Sequence, residues 1–166
     1  MCTALNKPLG YVNQETFPLP KLHAALRKIS EEIHNGRGFK VVRGIPVAKH
    51  SREENIIIFA GVSSHVAPIR GRQDFQYKGE PADVVLNHIK DLSSVVDASK
   101  IGAPAYTTEK QVFHTDAGDV IALFALSVAA EGGESKLSSS WRVYNELAAK
   151  RPDLIKTLSE PWAAET

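Results

Sequence analysis

From Lys21 onward, apolar side chains recur at helical spacing: Leu22, Leu26, Ile29 and Ile33. Steps of three and four residues put them on one stripe of an α-helix. The Asn35-Gly36 pair predicts its end, because both residues accept left-handed backbone. Phe39-Lys40-Val41-Val42-Arg43 then reads as a strand, closed by Gly44-Ile45-Pro46. Ser51-Arg52-Glu53-Glu54 is a capping box, with Ser at the N-cap and Glu three residues on. The Ile56-Ile57-Ile58-Phe59 run follows, and the spacing predicts a helix ending between Gly61 and Pro68.

Residues 70–82 read as loop, with Gly71, Gly79 and Pro81 as breakers. Val84 to Leu92 fits strand better than helix, and 97–110 is a polar loop. One strand is expected through His114 and another from Ile121 to Val128. Ser138-Ser139-Ser140 precedes an amphipathic helix carrying Val143, Tyr144, Leu147 and Ala148. Pro152 starts a short last helix, since proline suits the first helical position. The three prolines and weak periodicity of residues 1–20 predict an extended lead-in, leaving 21–166 as one domain. There is no internal repeat.

Charge changes this picture little. Twenty Lys and Arg face nineteen Asp and Glu, so no basic footprint for nucleic acid or an anionic membrane is expected. The single cysteine, Cys2, rules out an internal disulfide framework and a cysteine-rich zinc site. The longest apolar stretch, Val120 to Ala130, is too short to span a bilayer and fits a buried strand. With no secretory pattern at the N-terminus, a cytoplasmic protein is expected.

The candidate chemistry lies in Phe113-His114-Thr115-Asp116. On a strand, residues i and i+2 share a face. An imidazole nitrogen and a carboxylate oxygen would then converge on one point, two thirds of a two-histidine, one-carboxylate iron triad. The long apolar run comes next, then Glu131-Gly132-Gly133-Glu134-Ser135, a glycine turn leading into a hydroxyl.

These motifs together resemble the taurine dioxygenase (TauD/TfdA-like) family, its fungal members above all. The resemblance is carried by Gly38-Phe39-Lys40-Val41-Val42-Arg43-Gly44, by Phe113-His114-Thr115-Asp116 and by Ala130-Glu131-Gly132-Gly133-Glu134-Ser135. Val143-Tyr144-Asn145-Glu146-Leu147 completes it. It implies an α+β fold, a clavaminate synthase-like double-stranded β-helix (jelly roll) with flanking helices. It also implies an Fe(II)- and 2-oxoglutarate-dependent dioxygenase that hydroxylates or oxidises a small organic substrate with O2. In that reading His114 and Asp116 match the first two iron ligands, and no catalytic residue is expected beyond the metal site. Ser135 stands where the family often has a Thr whose hydroxyl binds the 2-oxoglutarate carboxylate.

The family pattern then requires a downstream His as third ligand, followed by an Arg that forks onto 2-oxoglutarate. No histidine follows Asp116, and the only later arginines are Arg142 and Arg151, neither preceded by such a His. Of the upstream histidines, His23 and His34 fall on the first helix, and His50 and His65 at the ends of the second. His88 lies in an expected strand that could face the site. The expectation is an incomplete jelly roll, the N-terminal half of such an enzyme or a catalytically silent interaction module. Open strand edges would then favour homo-oligomers, with the Val120–Val128 run most exposed to pairing.

Overall fold

The computed structural model describes residues 8–163, which divide into two compact units, Met1–Leu126 and Ser127–Thr166. Cys2 lies outside the described residues. In the first unit, helix α1 spans His23–Asn35 and α2 spans Arg52–Val66. An antiparallel hairpin comes after them, of strands β1 (Asp74–Tyr77) and β2 (Glu80–Val84). The second unit holds α3 (Ser140–Lys150) and α4 (Pro152–Leu158).

Helix α1 ends at Asn35, as the Asn35-Gly36 pair predicts. The capping box of α2 is formed in full: Ser51 Oγ accepts from the Glu54 amide at 3.1 Å, and Glu54 Oε2 accepts from the Ser51 amide at 2.8 Å. The backbone and side-chain bonds to Ser51 hold the Glu54 carboxyl below its usual range. A carboxylate with a lowered folded pKa adds stability above its unfolded value, and this is lost as pH falls through the folded one. Ser51→Ala is therefore expected to cost about 1 kcal/mol at neutral pH. Glu54→Ala, which removes the carboxylate itself, should show in urea titrations a deficit against the native chain that shrinks in acid; a pH-independent deficit would contradict the coupling.

Four consecutive apolar residues, Ile56 to Phe59, spread round α2, so the helix buries more than one side. One side, with Ala60, Gly61, Ser64 and His65 buried, packs on the lead-in and α1. The described part of the lead-in, residues 8–20, is therefore not extended as expected. It opens with a 3-10 turn at Leu9–Tyr11 and a turn in which Asn13 Oδ1 accepts from the Glu15 and Thr16 amides. It is tied to α2 by Gln14 Nε2 donating to Ser64 O at 2.8 Å and by Arg70, whose guanidinium donates to Leu9 O and Val12 O at 3.0 Å. These polar ties compensate for the weak apolar periodicity of the segment.

His65 is a buried junction. A carbonyl can only accept, so His65 Nε2 donates to Phe17 O at 3.0 Å. In the neutral ring this leaves Nδ1 as acceptor, and His23 Nδ1 donates to it across 2.9 Å. Gly61 is required by close approach: a Cβ there would overlap the Phe17 ring. Gly61→Ala would gain about 1 kcal/mol of helix propensity but force Phe17 off its seat, at about 1–3 kcal/mol. We expect a net loss of about 1 kcal/mol in chemical denaturation; a more stable variant would show that Phe17 can yield.

The hairpin corrects the loop expected over 70–82. Asp74-Phe75-Gln76-Tyr77 alternates polar and aromatic residues. Lys78 (φ 53°) and Gly79 (φ 83°) supply the two positive-φ positions of a tight two-residue turn. The Lys-Gly pair is a weaker signal than Asn-Gly, and Pro81 masked the returning strand, in which it pairs with Gln76. The other expected strands are not paired. β2 ends at Val84, so 85–92 is not strand, and residues 39–43, 112–116 and 121–128 form no ladder. Among the described residues the hairpin is the only sheet, and no jelly-roll ladder is formed. Residues 108–138 make no backbone–backbone hydrogen bond among the described residues. A strand needs a partner from a distant part of a chain, which local sequence does not supply.

In the second unit, Ser139 caps α3 by accepting from the Arg142 amide, and Glu146 pairs with Lys150 one turn on. Pro152 opens α4, and Arg151 forks onto Asp153 at 2.7–3.2 Å. Both helices form where the sequence predicts them. Among the described residues no helix is long and apolar enough to cross a membrane.

Candidate functional site

His114 and Asp116 lie in an exposed, irregular segment of the first unit, not on a paired strand. Their side chains nevertheless face each other, with His114 Nε2 3.6 Å from Asp116 Oδ1. That is too long for a hydrogen bond between them. The other imidazole nitrogen is committed: Nδ1 lies 2.7 Å from the Val112 carbonyl and donates to it. In the neutral ring Nε2 then keeps its lone pair on the side of the carboxylate. Metal-binding histidines have this arrangement, in which a backbone carbonyl fixes the tautomer. At roughly 2.0–2.2 Å per bond, an ion can link two donors up to about 4 Å apart. One imidazole nitrogen and one carboxylate oxygen at this separation could both reach a single divalent metal ion.

Among the described residues no group of three His, Cys, Asp or Glu side chains could hold a metal. His88 is exposed and joins no such group. His34 is occupied locally, bonded to Ser30 O at 2.7 Å, while exposed His23 on α1 and buried His65 on α2 bond each other.

Ser135 belongs to the second unit and is exposed. It follows a true glycine turn: Gly132 and Gly133 have φ of 70° and 79°, a conformation that L side chains rarely adopt.

Two contributors were not foreseen. The Val112 carbonyl fixes the His114 ring, and main-chain acceptors leave no mark in sequence. The other is a stack between Phe59 of α2 and Phe124, with centroids 5.3 Å apart and planes 12° from parallel. The all-round apolar character of Ile56–Phe59 is the signal that α2 has a second packed side.

Comparison with known proteins defines the class. Residues 5–165 match the Taurine catabolism dioxygenase TauD, TfdA family, and the chain belongs to it. Among its relatives, "Taurine hydroxylase-like protein SAT17" of Stachybotrys chartarum is 40% identical over 158 residues, covering 92% of this chain and 40% of that protein. "FR-33289 synthase" of Streptomyces rubellomurinus is 25% identical over 144 residues, covering 87% of this chain and 40% of that protein. The chain thus spans about two fifths of the length of these curated relatives. No solved structure matches it.

Proposed function

We propose that this chain carries the iron-binding part of an Fe(II)/2-oxoglutarate dioxygenase that hydroxylates or oxidises a small organic substrate. The observation that carries the reading is the convergence of His114 Nε2 and Asp116 Oδ1, with the Val112 carbonyl holding the ring. Family membership supports it, and a relative named as a hydroxylase fits the reaction type. Iron and 2-oxoglutarate, when bound, would supply O2 activation and C–H oxidation. His114 and Asp116 hold the metal from one side. Ser135 offers its hydroxyl to a carboxylate of 2-oxoglutarate. In the jelly roll of the family, the runs at 39–43, 84–92, 112–116 and 121–128 would take strand positions.

The second reading is a catalytically silent dioxygenase-like module. It applies to residues 1–166 taken by themselves, which carry no His after Asp116. The encoding gene discriminates. An in-frame continuation with a His, and an Arg about ten residues later, completes the facial triad and favours the enzyme.

The proposal is tested by anaerobic titration of the chain with Fe(II) and 2-oxoglutarate. A visible metal-to-cosubstrate charge-transfer band that His114→Ala abolishes is the expected result. The same band in His114→Ala would remove His114 from the site.

A further inference from the structure

The segment bearing His114 and Asp116 has no regular structure of its own. Between 108 and 126 it makes no backbone–backbone hydrogen bond, and the polar bonds of Glu109 and His114 are to residues two positions away. Two ligand side chains on such a segment sample many separations, and an ion selects only the few that suit its bonds. Whatever fixes the segment to the helical core therefore contributes to metal affinity without touching the metal.

The stack of Phe124 on Phe59 supplies such a fixing point. Both rings are partly buried within the first unit. Phe124 is eight residues after Asp116, close enough along the chain to restrain the ligand pair. Phe59 stands on α2, whose neighbouring residues Ala60, Gly61, Ser64 and His65 are packed on the lead-in and α1. The helix is anchored on one side and presents an aromatic platform on another. Between Asp116 and Phe124, Gly118 has φ 110°, a conformation that L side chains rarely adopt.

We infer that Phe59 is a positioning residue for the His114–Asp116 pair, acting through Phe124. This rests on the metal reading above, and the experiment separates the two. Co(II) is titrated into the full 166-residue chain and its visible absorption followed. An aromatic pair of this geometry is worth a factor of about two to ten in an equilibrium constant. Phe59→Ala and Phe124→Ala should each weaken Co(II) binding by about that factor, while Phe59→Tyr, which keeps the ring, should bind as the native chain does. The double alanine variant should bind no worse than Phe124→Ala alone, because both substitutions break one contact. A generally loosened fold would instead multiply the two losses. Phe124 lies outside the helices, so its variant decides the matter even if Phe59→Ala unfolds α2. Unchanged affinity in Phe124→Ala, or multiplying losses, overturns the positioning role while leaving the metal pair intact. Unchanged affinity in His114→Ala overturns the metal reading, and the positioning role with it.

Discussion

Purified 166-residue chain, given Fe(II), 2-oxoglutarate, ascorbate and O2, is expected to form succinate no faster than its His114→Ala variant. The reason lies in the residues after Asp116. They include no histidine to complete the triad, and Arg142 and Arg151 are their only guanidinium groups. Arg151 is already engaged with Asp153, whose carboxylate raises the Arg151 pKa while its own is lowered. Losing a buried charged hydrogen bond typically costs about 2–5 kcal/mol. At about 1.4 kcal/mol per tenfold, that alone lowers a rate some thirtyfold to several thousandfold. A missing metal ligand adds to it. Turnover well above the variant would mean that another histidine, His88 or one from a second subunit, completes the site.

The second large effect concerns association. Val112, Phe113, Leu123 and Val128 are between 72% and 90% exposed, on irregular backbone without ladder partners. Unpaired strand-forming segments with apolar side chains recruit other strands. Burying one such side chain fully is worth about 1.5–3 kcal/mol, so a few contacts suffice for association at micromolar concentration. The chain is expected to sediment as dimers or larger species, and Leu123→Lys to shift it toward monomer. A native chain that stays monomeric at tens of micromolar, on the scale of those affinities, would show that these runs do not recruit one another.

The contrast between helices and strands explains what the sequence could reveal. Helices α1 to α4 were legible because their signals are local: the Leu22–Ile33 stripe, the Ser51–Glu54 box, the serines before α3 and Pro152 before α4. Runs such as Phe39–Arg43 and Ile121–Val128 carry strand-like composition, but a ladder depends on residues elsewhere. The folding of the lead-in leaves little mark in the sequence because Arg70 and Gln14, not an apolar stripe, hold it in place. Although the strand that their spacing presupposes is not paired, His114 and Asp116 were legible from that spacing as candidates for the site. The Val112 carbonyl and the Phe59–Phe124 stack were not, since one is main chain and the other joins residues sixty-five positions apart.

The central claim is that His114 and Asp116 serve one ion. Calorimetric titration with Mn(II) of the native chain, His114→Ala, Asp116→Ala and the double variant tests it most directly. Two donors to one ion form a coupled pair, so each single substitution should remove most of the binding and the double little more. Losses that multiply independently, or Mn(II) binding that survives both substitutions, would contradict a shared metal site.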